Sequence, residues 1–118
     1  MSNFFRVTDA VAIRVVELTL PETLDVDEFD RLNESLLREF SDRQGRWILD
    51  MASVDYIGSA VLGMMVNIRQ HVKGTSGQLI LCGMSPRLLD IFKACAMERL
   101  FIIAKTRQEA VLRFGGGA

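Results

Sequence analysis

The chain has 118 residues, room for one domain of ordinary size, and is long enough to bury a core without disulfide or metal. Apolar residues make up 49% and charged residues 25%, which excludes general disorder. Lys plus Arg is 14 against 15 for Asp plus Glu, a net charge of −1 that argues against a nucleic-acid partner.

Residues 4–8 and 10–18 read as two short strands, the second dominated by β-branched residues, with Thr8-Asp9 as the turn between them. Leu20-Pro21-Glu22-Thr23 is a loop. Asp25 with Glu28 forms a capping box for a helix whose apolar stripe is Val26, Phe29, Leu32, Leu36 and Phe40. Ser41-Asp42-Arg43-Gln44-Gly45 ends it. Trp47-Ile48-Leu49-Asp50-Met51 is a strand buried on both faces, with Trp47 inside. A second helix follows over about residues 60–73, opened by Gly58-Ser59 and stopped by Gly74. Gln78-Leu79-Ile80-Leu81-Cys82 is the next buried strand. Ser85-Pro86 caps a third helix bearing Leu88, Leu89, Ile91, Phe92 and Cys95. Leu100–Ala104 is the last strand, and Thr106 with Glu109 caps a final helix carrying Ala110, Val111 and Phe114.

The order β-β-α-β-α-β-α-β-α defines an α/β domain over residues 1–114, with a mixed, largely parallel sheet and packed helices. Gly115-Gly116-Gly117-Ala118 reads as a flexible tail. No apolar run approaches the ~20 residues of a membrane span, and the first residues lack a signal-peptide pattern. Cys82 and Cys95 are expected as reduced, small core residues of a cytoplasmic protein.

Enzymatic chemistry finds little support. Phosphate-binding glycine loops and the nucleophile elbow are missing from the sequence. The single His71, expected on the surface, makes a metal site or a His-assisted nucleophile improbable. No catalytic residue, metal or cofactor is therefore expected. Asp50, with Asp55 nearby, is expected to bond loop amides rather than to form a site. On the second helix Val61, Met65, Ile68 and Val72 share a core face, with Leu62 and Val66 on another side. An exposed remnant around Gly63, Met64 and Asn67 would suit a partner. Ser59 has two readings: an N-cap, or a phosphorylation site at a helix N-terminus that accommodates the charge.

The run Ile48-Leu49-Asp50-Met51-Ala52-Ser53-Val54-Asp55-Tyr56-Ile57-Gly58-Ser59-Ala60-Val61-Leu62-Gly63 resembles the central motif of STAS domains, shared by bacterial anti-sigma factor antagonists and sulfate transporters. Leu24-Asp25, Gly77–Cys82, Ser85-Pro86, Leu100-Phe101-Ile102 and Thr106-x-x-Glu109-Ala110 continue the resemblance over roughly residues 4–114. It implies a STAS-like fold and a switch that binds an anti-sigma factor, often a serine kinase, and so frees a sigma factor. Ser59 aligns with the serine that such kinases phosphorylate and a PP2C-type phosphatase resets. Gly58, Ser59, Ala60, Gly63, Met64 and Asn67 are then the partner-binding residues, with homodimerisation left open. Three positions depart from the pattern: Gly58 replaces an Asp, Val61 a Gly, and Ala96 a frequent helix-ending Gly. Two alternatives remain. One is a non-phosphorylated STAS subunit of a stress-signalling scaffold or lipid-transport complex, which neighbouring transporter genes would favour over kinase or phosphatase genes. The other is a small-ligand or nucleotide-binding protein using the loop before Ser59.

Overall fold

A computed structural model describes residues 4–10, 12–21, 23–41 and 45–115. The elements are β1 (Phe5–Ala10), β2 (Ile13–Leu18), α1 (Val26–Ser41), β3 (Arg46–Asp50), α2 (Ser59–Gly74), β4 (Gln78–Cys82), α3 (Pro86–Ala94), β5 (Ile102–Ala104) and α4 (Arg107–Gly115). They form one five-stranded sheet in the order β1-β2-β3-β4-β5. The β1–β2 pair is antiparallel and the pairs from β2 to β5 are parallel, the mixed sheet that the element order requires.

The alternation of side chains along each strand divides the core in two. Val16, Leu18, Trp47, Leu49, Leu79 and Leu81 pack with Leu32, Leu36 and Phe40 of α1, with the buried residues of α2, and with Leu88 and Phe92 of α3. The other face carries Ile13, Val15, Ile48, Ile80, Cys82 and Ala104, packed with Ala110 and Phe114 of α4. β3 is central and apolar toward both sides, and Trp47 is fully buried with its ring 4.6 Å from that of Phe40.

Helix ends follow local chemistry. At α1 the capping box closes in both directions: Glu28 N–H to Asp25 Oδ1 at 2.7 Å and Asp25 N–H to Glu28 Oε1 at 3.0 Å. Leu88 N–H donates to the Ser85 hydroxyl at 3.1 Å, with Pro86 at the first helical position. Glu109 N–H donates to Thr106 Oγ1 at 3.0 Å. α2 and α3 end in the same wound turn, with Gly77 N–H to Val72 O and Met97 N–H to Phe92 O, both at 2.8 Å. The left-handed residues there are Ser76 (φ 61°) and Ala96 (φ 56°), not glycines.

Several expectations need correction. Thr8 and Asp9 belong to β1, and the hairpin closes between Ala10 and Ile13. Asp9 instead pairs with Arg14 across the strands at 2.9 Å, and Ala12 supplies the positive φ of the turn at 59°. Val26 is 75% exposed, because the first helical residue projects beyond the core. Gly74 is the last residue of α2 rather than its stop, and Thr75 caps the helix. β5 is shorter than expected: Leu100 and Phe101 precede it, Phe101 packing edge-on to Phe92 at 5.9 Å. Cys95 follows the last turn of α3 and is exposed, whereas Cys82 is buried as expected. The expected helix stop at Asp42-Arg43-Gln44 and the tail residues 116–118 lie outside the described residues, while Gly115 closes α4.

Candidate functional site

The site is built at the carboxyl end of β3. Asp50, its last residue, is buried and engages both carboxylate oxygens. Oδ1 accepts from Ala52 N–H at 2.9 Å, the loop-amide bond expected for it. Oδ2 accepts from Arg107 Nε at 3.0 Å and from Arg107 Nη2 at 2.8 Å. Arg107 Nη2 also lies 2.8 Å from Glu17 Oε1. One guanidinium at the start of α4 thus ties together the ends of β2 and β3, whose Glu17 and Asp50 are register partners. Hydrogen bonding from Arg107 holds the Glu17 carboxyl below its ordinary range, with Arg6 adding to the effect. The hydrogen bond to Glu17, reinforced by Asp50, raises the Arg107 guanidinium. Gly83 of the β4–α3 loop passes close by at φ +73°, where a Cβ would sit 2.9 Å from Asp50 Oδ1.

The loop from Met51 to Gly58 is pinned from below by buried Met51, Val54 and Ile57. Its upper residues are tied to α3: Arg87 pairs with Asp55 at 3.1 Å, and its guanidinium stacks 5.3 Å from the centroid of the Tyr56 ring. Gly58 then occupies the N-cap of α2 in an extended conformation, with no side chain to bond the first turn. Ser59 is the first helical residue, so the N-cap reading of its hydroxyl is incorrect. Its hydroxyl accepts no hydrogen bond from the N–H groups of the first turn among the described residues. The first turn of α2 contains no acidic residue, which leaves the positive end of the helix dipole uncompensated.

Ser59 and Ala60 are exposed and stand in the wall of a cavity of about 400 Å³. The opposite wall comes from the β2–α1 connection and the start of α1: Leu20, Pro21, Leu24, Val26 and Phe29. Thr23, Tyr56, Ile57, Gly58 and Val61 also line it, and among the described residues Asp25 is the one charged lining residue. Of the residues expected to bind a partner, Gly58, Ser59 and Ala60 are brought together here. Gly63 and Asn67 continue along α2 from Ala60 at helical spacing and are exposed. Met64 is the exception: only 2% of it is exposed, because it turns into the core between sheet and helix. His71 is exposed, as expected.

Sequence reasoning missed the far wall of the groove. The signal lay in Leu20-Pro21 and Leu24, unusually apolar for a loop, and in Val26 at a helix start. The Arg107 clamp had no local signal, since 57 residues separate it from Asp50. Among the described residues no group of His, Cys, Asp and Glu could hold a metal ion, and no helix is long and apolar enough to cross a membrane.

This arrangement, a mixed sheet with a serine opening the helix after its central strand, defines the class. The STAS domain model matches residues 7–110, and the chain belongs to the STAS domain family. BtrV of Bordetella bronchiseptica, named as an anti-sigma factor antagonist, is 26% identical over 85 residues, covering 72% of this chain and 73% of that protein. Among solved structures, an anti-sigma-factor antagonist (STAS) domain protein from Planctomyces limnophilus has a TM-score of 0.79 at 22% identity, covering 94% of this chain and 97% of that one. The Bacillus anti-sigma factor antagonist SpoIIAA, in its unphosphorylated form, has a TM-score of 0.72 at 18% identity, covering 95% and 96%. Its phosphorylated form has a TM-score of 0.65.

Proposed function

We propose that this chain is an anti-sigma factor antagonist that works by binding rather than by turnover. In this reading the unphosphorylated form docks an anti-sigma factor of the serine-kinase type in the cytoplasm and so frees a sigma factor. The kinase transfers the terminal phosphoryl group of a nucleoside triphosphate to the Ser59 hydroxyl and releases the diphosphate, the complex separates, and a PP2C-type phosphatase hydrolyses the phosphoester to restore the serine. The observation that carries the reading is the position of Ser59, exposed at the first helical residue of α2 in the wall of an apolar groove.

A phosphate at Ser59 adds about −1.5 to −2 charges. The uncapped helix end accommodates that charge, so the fold survives. A partner that buries the groove must desolvate the same charge against apolar walls, which costs several kcal/mol unless it supplies a cation. Phosphorylation therefore acts on docking and not on folding. Gly58, in place of the family's Asp, leaves the serine without an adjacent carboxylate, and the kinase must recognise it through the groove and the Ala60, Gly63 and Asn67 stripe.

The test is made in the native cell. The chain is recovered as wild type, Ser59→Ala and Ser59→Asp, and co-purifying proteins are quantified by mass spectrometry. Wild type is expected to carry a single-phosphate mass increment that Ser59→Ala lacks. A common partner should accompany wild type and Ser59→Ala and fall at least about tenfold on Ser59→Asp. A partner set indifferent to all three forms would refute the switch and leave a non-phosphorylated scaffold subunit.

A further inference from the structure

The opposite end of α2 carries a second groove. Ser59 and Lys73 are separated by 14 helical positions, about 21 Å along the axis, so this region is independent of the phosphorylation reading. The last turns of α2, the start of β4 and the entry to β5 enclose about 230 Å³. Its apolar walls are Val72, Leu79, Leu100, Phe101 and Ile102. Among the described residues Arg69 and Lys73 are its charged lining residues, and no acidic one lines it. Among the described residues neither cation has an ion-pair partner. Arg69 donates its Nε–H to the Leu100 carbonyl, and Lys73 is exposed.

The groove lies beside the edge of the sheet. β5 pairs with β4 alone, through Ile80↔Ile102, Leu81↔Ile103 and Cys82↔Ala104. Ile102 is 51% exposed, a large apolar side chain left in the open at the end of the sheet.

We propose that this groove and the β5 edge together bind an extended, acidic and apolar segment of a second partner protein. Charge complementarity sets the acidic character, since among the described residues the two cations lining the groove have no carboxylate partner. The size selects a peptide over a free metabolite: the cavity falls below the range of about 300–1,000 Å³ usual for small-molecule sites, yet holds one or two apolar side chains. The strand edge supplies main-chain donors and acceptors for an extended segment. With only three residues in β5, side-chain anchoring and the two cations carry most of the affinity. A symmetric groove-to-groove pairing of two copies of this chain is disfavoured, because Arg69 and Lys73 of each would meet the same basic seam.

The test pans a phage-displayed library of random dodecapeptides on the full chain. Enriched sequences are synthesised, and their affinities measured by fluorescence anisotropy for wild type, Lys73→Glu and Arg69→Gln. Lys73 is exposed, so Lys73→Glu keeps the fold even where Arg69→Gln loosens the Leu100 contact. The expected result is enrichment of sequences with apolar residues and at least two Asp or Glu. Their dissociation constants should rise tenfold or more on Lys73→Glu and with added salt, and their binding should shift the Ile102–Ala104 amide resonances. No enrichment, enrichment without acidic residues, affinity unchanged by Lys73→Glu, or shifts confined to other surfaces would each overturn the proposal.

Discussion

The Ser59 hydroxyl forms no hydrogen bond among the described residues, and its side chain is exposed. Removing it therefore costs the fold little: Ser59→Ala is expected to change stability by less than about 0.5 kcal/mol, the range of an ordinary surface substitution. This is smaller than a lost cap, about 0.5–2 kcal/mol, which the sequence alone would suggest. One residue decides the matter, because the N-cap is Gly58 and not Ser59. The two cysteines separate as sharply. Burial pushes the Cys82 thiol up to about 12, with the Asp50 carboxylate adding to it, while Cys95 is exposed. Thiolate is the reactive form. Iodoacetamide at mild alkaline pH should label Cys95 in the folded protein and reach Cys82 only after denaturation, read by peptide mass spectrometry. Equal labelling of both would contradict the burial of β4.

At the scale of elements, α2 begins without a side-chain cap and without an acid in its first turn. A Cβ added at Gly58 meets nothing within 4 Å, and the backbone there is extended, so a side chain fits without strain. Gly58→Asp should cap the helix and raise stability by a few tenths to about 1 kcal/mol, measured by urea unfolding. A loss of stability would mean that the start of α2 is misplaced. β3 makes the opposite argument, because its side chains are locked from both faces. Leu49→Ala should cost about 2–5 kcal/mol, and a loss under about 0.5 kcal/mol would remove β3 from the centre of the sheet. The Glu17–Arg107–Asp50 clamp joins β2, β3 and α4. A carboxyl held below its ordinary value of 4.5 stabilises the fold above that value, and the contribution fades as pH falls through the depressed one. Glu17→Gln should therefore flatten the acid side of the stability–pH curve below about pH 5 and lower stability near neutrality. Thermal melts between pH 3 and 7 read both, and an unchanged acid slope would show that the clamp is not formed in solution.

The whole molecule was legible in sequence where local chemistry repeats. The apolar runs of β3 and β4, the box at Asp25 and Glu28, and the Ser85-Pro86 start each mark an element by residues within a few positions of one another. Their order then requires parallel crossovers, hence the mixed sheet. What stayed hidden depends on residues far apart in the chain. The groove at Ser59 is half built by Leu20–Phe29, and the clamp spans from Glu17 to Arg107. The exposed Val26 and buried Met64 both broke helical-wheel expectations, because a wheel gives the face of a residue but not where the neighbouring element stops. The fold sets these two grooves at opposite ends of α2. The two proposed docking sites therefore share no lining residue.

The central claim is that Ser59 governs docking and not folding. Its most direct measurement is calorimetric titration of the partner recovered from the native cell into wild type, Ser59→Ala and Ser59→Asp, with thermal melts of each. Ser59→Asp places a carboxylate at an uncompensated helix N-terminus, worth about 0.3–1 kcal/mol in favour of the fold. The account predicts melting temperatures for Ser59→Asp at or above wild type. It predicts equal affinities for wild type and Ser59→Ala, and an affinity at least about tenfold weaker for Ser59→Asp, or 1.4 kcal/mol. Equal affinities for all three forms, or a loss of binding that tracks a loss of stability, would contradict it.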